Sequence, residues 1–224
     1  MKIILGNKRY SSWSLRGWLA AKQSGQAFDE MVIPLRTPEW QEKAADPNVM
    51  PSGRVPTLWD DGIAVWESSA IIDWLAERHA DRGFWPTDEA ARAFARSIAA
   101  EMHAGFTSLR QQCPMDVLAH YPSYRLTDGT QLDVERIVAL WSEARSRFGR
   151  NGDFLFGDFG AADMMYAPIV MRFRTYDVKP SGEAQAYMHA VLDHPWLVEW
   201  CAAAAEEPAD WIIPAYAEQA AQYA

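Results

Sequence analysis

Three serines crowd one short segment of this chain, Ser11-Ser12-Trp13-Ser14-Leu15-Arg16, at the junction of an apolar run and a helical pattern. A single serine is enough to cap a helix, because its hydroxyl accepts from one of the unpaired first-turn amides. Three exceed that need. Hydroxyls and free amides at a helix N-terminus also form an anion site, since the dipole places about half a positive charge there. A second signal is Val55-Pro56. Proline cannot donate to a sheet ladder, so the pair reads as an edge strand or as a cis peptide, found at only ~5–6% of such bonds. Either way the amide and carbonyl of Val55 are left to pair with an extended ligand. The third is Glu67-Ser68-Ser69, ahead of another helical pattern. Ser68 or Ser69 suits a cap. A helix N-terminus for a carboxylate, with Glu67 beside it for an ammonium, is also what a free amino-acid end group requires.

Other chemistries lack their residues. There is no G-x-x-x-x-G-K-[ST], G-x-G-x-x-G, G-x-S-x-G or H-E-x-x-H pattern. His79, His103, His120, His189 and His194 stand at no metal-ligand spacing with one another or with cysteine, so no metal is expected.

The elements that must hold these residues follow from periodicity. Lys2–Leu5 reads as a strand, and Leu15, Trp18 and Leu19 mark one helix face closed by Gly25. Residues 31–35 form a second strand, and 38–47 a short or irregular helix at best. Strands at 55–59 and 63–66 flank Asp60-Asp61-Gly62, a hairpin signal, and Ile71, Ile72, Trp74, Leu75 and Arg78 make an amphipathic helix. The order βαβ–ββα predicts a first domain over 1–80, with strands one and two parallel and the hairpin antiparallel. The stretch 79–88, holding Gly83 and Pro86, reads as a linker. Beyond it, over 88–224, only helical stripes remain. The longest runs through Phe94, Ile98, Met102, Phe106 and Leu109, and others start near Val134, Met164, Tyr187 and Trp196. The fold class is α/β followed by an all-helical bundle.

Composition narrows the partners. The 224 residues carry 21 Lys+Arg against 30 Asp+Glu, a net charge of −9, so no basic face is expected for nucleic acid. No apolar run approaches the ~20 residues of a membrane span, and the N-terminus turns polar too early for a signal peptide. Cys113 and Cys201 have no C-x-x-C spacing and suit a reducing compartment. A cytoplasmic protein is expected.

Val55-Pro56-Thr57-Leu58 and Glu67-Ser68-Ser69-Ala70-Ile71-Ile72, set in a βαβ–ββα domain ahead of a helical bundle, resemble the cytosolic glutathione transferases over nearly the whole chain. The first domain of that family is thioredoxin-like. The serine segment is similar to the S-S-C-S-W-R motif of the zeta class, whose activities include maleylacetoacetate isomerisation. The resemblance implies glutathione as co-substrate, its thiol activated by Ser11 and Ser12 a further glutathione contact; read as residues alone, Ser12 and Ser14 suit helix caps. It implies a cis Pro56, a backbone contact from Val55 to the cysteinyl part, and γ-glutamyl contacts from Glu67 and Ser68. Arg54, and more loosely Gln41, fall toward the glycyl carboxylate. The electrophile would lie between the domains, near His103, Phe106 and Arg110 on successive turns and near Arg172. Phe106 equally suits a core position. Arg172 and Arg174, two apart, cannot both face inward.

A homodimer is implied too, and Asp88, Glu89, Arg92 and Arg96 offer both charge signs for reciprocal pairing. Thiol transfer in detoxification is the leading activity; glutathione-dependent isomerisation or peroxide reduction on the same site, or a non-enzymatic module of this shape, are the alternatives. Two departures stand out. Trp13 replaces the motif's cysteine, and Gly160-Ala-Ala-Asp163 replaces an S/T-x-x-D helix cap.

Overall fold

The computed structural model describes residues 1–149 and 151–223, so the helical range expected to reach 224 includes Arg150 and Ala224 outside the described residues. The first half contains β1 (Lys2–Gly6), α1 (Ser12–Ser24), β2 (Asp29–Ile33), α2 (Pro38–Ala45), β3 (Thr57–Asp60), β4 (Ile63–Trp66) and α3 (Ser68–Arg78). The sheet order is β2-β1-β3-β4, with β1 and β2 parallel and both remaining pairs antiparallel. This is the mixed sheet of a thioredoxin-like domain.

Several local expectations shift. The second strand starts two residues earlier than 31, and Pro34 follows its last residue, where a ladder donor would be missing. The strand after Pro56 is not an edge: β3 lies between β1 and β4, and Pro56 sits just ahead of it in a cis peptide bond with Val55. The doubtful stretch after Pro38 is a regular eight-residue helix. Its cap is Thr37, whose hydroxyl accepts from the Trp40 amide at 3.1 Å.

The second half holds α4 (Glu89–Ala104), α5 (Thr107–Gln112), α6 (Asp128–Phe148), α7 (Ala161–Thr175), α8 (Gly182–Leu192), α9 (Pro195–Ala205) and α10 (Pro214–Ala221). The stripe from Phe94 to Leu109 is therefore two helices. Gly105 ends the first, and Phe106 takes a left-handed φ of 57° before the second begins. A Cβ at Gly105 would lie 2.7 Å from the Glu101 carbonyl oxygen, so this position admits only glycine. Helix α7 is buried all round except at Arg174. Gly160 has no side chain to cap it, so only half of a capping box survives: the Asp163 carboxylate accepts from the Gly160 amide at 2.9 Å and the Leu155 amide at 3.1 Å. One hydrophobic cluster runs unbroken from α1 and α3 into α4 and α7. The site lies along that seam.

Candidate active site

The chain leaves β1 and turns through residues 7–11. The buried Asn7 carbonyl accepts from the amides of Tyr10 (3.2 Å) and Ser11 (2.9 Å). Ser11 is the N-cap of α1, a role expected for Ser12 or Ser14. Its oxygen accepts from the Ser14 amide at 3.2 Å and its hydroxyl donates to Ser14 Oγ at 2.7 Å. Ser14 Oγ in turn accepts from the Gly6 amide at 2.9 Å. Ser12 opens the first turn and accepts from Arg172 Nη2 at 3.4 Å.

A cleft of about 340 Å³ opens over this turn. It brings together Ser11, Ser12, Arg54 and Val55 from the sheet half with Arg110 and Arg172 from the helical half. An adjoining cleft of about 400 Å³ shares Ser12, Trp13, Arg110 and Arg172, and adds Thr107 and Gln111.

Other expected residues lie elsewhere. Gln41 is exposed on α2 and lines neither cleft. Pro56 is buried behind Val55, against Gly17. Phe106 is buried in the shared core. His103 lines neither of these clefts but a third, of about 380 Å³ between α3 and α4, with Ser69, Asp73 and Arg96. Its ring stands edge-on to Trp13 at 5.2 Å. Burial first, then the neighbouring Arg16 charge, holds His103 below its ordinary pKa.

Glu67 precedes α3 with a φ of 70° and caps nothing with its own side chain. The Ser68 side chain is fully buried and its Oγ has no hydrogen-bond partner. A carboxylate and a hydroxyl therefore sit uncommitted at the start of α3, as a free amino-acid end would require.

Beside Arg54, the cleft is lined by the guanidiniums of Arg110 and Arg172, and Arg16 packs against Trp13 next to them. Arg172 is buried, donating Nε to the Cys113 carbonyl (2.9 Å) and Nη1 to the Pro168 carbonyl (3.1 Å). Arg174 is the half-exposed member of its pair. Arg110 donates to the His103 carbonyl at 3.2 Å. Trp13 packs against both Arg110 and Arg16, whose Cζ atoms lie 5.1 and 4.9 Å from the ring. Arg16 is buried, and its Nε and Nη1 have no partner. Among the described residues no carboxylate lies within ion-pair distance of Arg16, Arg110 or Arg172. Burial and then mutual repulsion push Arg16 down to about 9 and Arg172 to about 10, so both remain cations at neutral pH. Burial pushes the Cys113 thiol up to about 12, which removes it as a nucleophile. No metal-binding cluster exists among the described residues.

Sequence reasoning missed Trp40, Tyr216 and Arg16. Trp40 and Tyr216 line the cleft from α2 and α10, and only the tertiary fold brings those two helices together over Ser11.

Two family models match in tandem: the glutathione S-transferase N-terminal domain over residues 10–78 and its C-terminal domain over 90–203. The chain belongs to the glutathione S-transferase family. A probable maleylacetoacetate isomerase from Caenorhabditis elegans is 35% identical over 189 residues, covering 82% of this chain and 85% of that one. Mouse glutathione S-transferase theta-1 is 30% identical over 148 residues, 62% of this chain and 60% of the mouse protein. Among solved structures, a bacterial zeta-class maleyl pyruvate isomerase superposes with a TM-score of 0.69 at 21% identity, covering 93% of this chain and 99% of that one. A Burkholderia transferase homologue with bound glutathione gives 0.68 at 20% identity, covering 92% and 98%. These structures share the transferase fold with this chain.

Proposed function

We propose that the protein binds glutathione along the Ser11–Val55–Glu67 line and that Ser11 donates a hydrogen bond to the glutathione thiolate, which attacks a small electrophile. The observation that carries this reading is the geometry of Ser11. Its oxygen is held by the Ser14 amide at the N-terminus of α1, and its hydroxyl needs only to turn from Ser14 Oγ toward the cleft. A serine hydroxyl is too weak a base to remove the thiol proton, but it can stabilise the thiolate. Lowering a thiol from its reference pKa of about 8.5 by two units takes ~2.7 kcal/mol. One charge-assisted hydrogen bond contributes about 1.5–3 kcal/mol and a helix N-terminus about 0.3–1. The two suffice. Arg16, Arg110 and Arg172, none of them ion-paired among the described residues, add to the same field.

Val55 would pair with the cysteinyl backbone, Glu67 and Ser68 would take the γ-glutamyl ammonium and carboxylate, and Arg54 the glycyl end. The electrophile would occupy the cleft floored by Ser12, Trp13 and Thr107, and Arg110 with Arg172 would favour one bearing a carboxylate. That preference suits isomerisation of an acidic substrate as well as conjugation. The non-enzymatic alternative is less favoured, because the hydroxyl and the Glu67-Ser68 pair are both in place. The reading extends to a cytoplasmic homodimer joined through α3 and the first two helices of the bundle, with a role in detoxification.

The test is Ser11→Ala beside Ser12→Ala. The first should abolish thiolate absorbance and turnover with a generic electrophile, and the second should leave both within a fewfold. Full thiolate signal in Ser11→Ala would transfer the role to Ser12.

A further inference from the structure

We propose that Glu207, in the segment after α9, is a positioning residue for Ser11; the proposal rests on the reading that Ser11 polarises the thiol. Its side chain reaches back across the seam to the turn that presents the serine. Glu207 Oε1 accepts from the Lys8 amide at 2.5 Å and Oε2 from the Arg9 amide at 3.3 Å. The carbonyls of the same two residues are taken as well, by Trp200 Nε1 (2.8 Å) and the Val117 amide (3.1 Å). All four main-chain polar groups of Lys8 and Arg9 are thus satisfied by the helical half of the molecule.

The turn is short, so this hold transmits directly. Tyr10 and Ser11 both donate back to the Asn7 carbonyl, which makes residues 7–11 one hydrogen-bonded unit. Tilting Lys8 and Arg9 therefore tilts Ser11. Val55 and Glu67 lie just ahead of β3 and α3, and Ser68 opens α3, whereas the Glu207 carboxylate accepts from the Lys8 and Arg9 amides. Glu207 accordingly governs where the serine hydroxyl stands relative to the thiol, and leaves the glutathione backbone contacts alone. Removing the carboxylate strands two amides that are otherwise charge-assisted donors, and an ångström-scale misplacement of a catalytic group is worth up to about a hundredfold in rate.

The experiment compares Glu207→Ala, Glu207→Gln and Glu207→Asp, with the exposed neighbour Glu206→Ala as control, in the full-length protein. The readouts are the pKa of the bound glutathione thiol by ultraviolet titration, kcat, and the glutathione Kd. Glu207→Ala should raise the thiol pKa by about one unit and lower kcat roughly tenfold or more, with Kd within about twofold. Glu207→Gln keeps an acceptor oxygen and should recover much of both. If Glu207→Ala does not fold, Glu207→Asp, one methylene shorter, carries the same expectation. In a Ser11→Ala background the Glu207 substitutions should shift the thiol pKa no further. An unchanged thiol pKa in the Glu207 variants of the otherwise native chain overturns the proposal, as does a shift that persists without the Ser11 hydroxyl. Failure of the Ser11 reading shows separately, as an unchanged thiol pKa in Ser11→Ala alone.

Discussion

Gly17, in the second turn of α1, offers a way to disturb the cleft over Ser11 without touching any residue that lines it. A Cβ built there would lie 2.8 Å from both Cβ and Cγ of Pro56, and 3.5 Å from Ile3 Cδ1. Carbon atoms prefer about 3.5–4.0 Å, so an alanine methyl needs roughly 0.7 Å or more of new space. Helix α1 cannot retreat, because it is packed on the sheet through Leu15, Trp18 and Leu19, all buried. The Pro56 ring has no rotamer to change. The displacement must therefore pass into the backbone on either side, at Val55 and at Thr57, the first residue of β3. Two energies oppose each other. Alanine gains about 1 kcal/mol over glycine in a helix interior, and overpacking costs about 1–3 kcal/mol. Gly17→Ala should thus lose at most ~2 kcal/mol of stability, while the shift at Val55 lowers kcat/KM for glutathione by roughly ten- to a hundredfold. Urea unfolding would check the first expectation and steady-state turnover the second. A variant at least as stable as the native protein, with unchanged kcat/KM, would refute the packing argument.

Three further outcomes follow from the buried charges. Burial pushes the Asp163 carboxyl up to about 7 from an ordinary 3.8, so its favourable contribution is full below about 3.8 and is lost as pH rises through 7. The stability of the native protein relative to Asp163→Asn should therefore decline across that window, which urea midpoints at several pH values would reveal. Arg16, held down to about 9 chiefly by burial, is a cost to the unliganded fold; Arg16→Met should raise the melting temperature of the free protein by several degrees, and calorimetry showing a fall would contradict this. Arg172→Gln should raise KM for a carboxylate-bearing electrophile about tenfold or more and leave a neutral halo-arene within about twofold, as paired kinetics would show.

How far the sequence carried depended on the range of the forces involved. Asp60-Asp61-Gly62 announced the hairpin because its turn chemistry is local, and β3 and β4 pair across it. The βαβ order likewise sufficed for the parallel β1–β2 pair. The break between α4 and α5 was hidden, since Phe106 and Leu109 continue the apolar stripe and both are buried on the far side of the break. Only Gly105 marked it. Tripling the serines pointed to the right turn, yet which one caps α1 depends on where the turn closed on the Asn7 carbonyl ends, which leaves Ser11 as the cap. Arg172 and Arg174 posed a choice that helix geometry alone could not resolve; the packing of α7 turned the first inward. Trp40 and Tyr216 belong to short helices of eight residues each, and their place over the cleft exists only once α2 and α10 meet it.

The turn before Ser11 is joined covalently to one half of the protein and by hydrogen bonds to the other, through Glu207, Trp200 and Val117. Inheritance by recombination meets an obstacle there. A crossover in the linker between α3 and α4 would leave each half's core residues present, but would hand the serine turn a new set of distant partners. Shuffled offspring of related transferases should thus lose chemistry before they lose shape, and the helical half cannot diversify freely while the sheet half stands still.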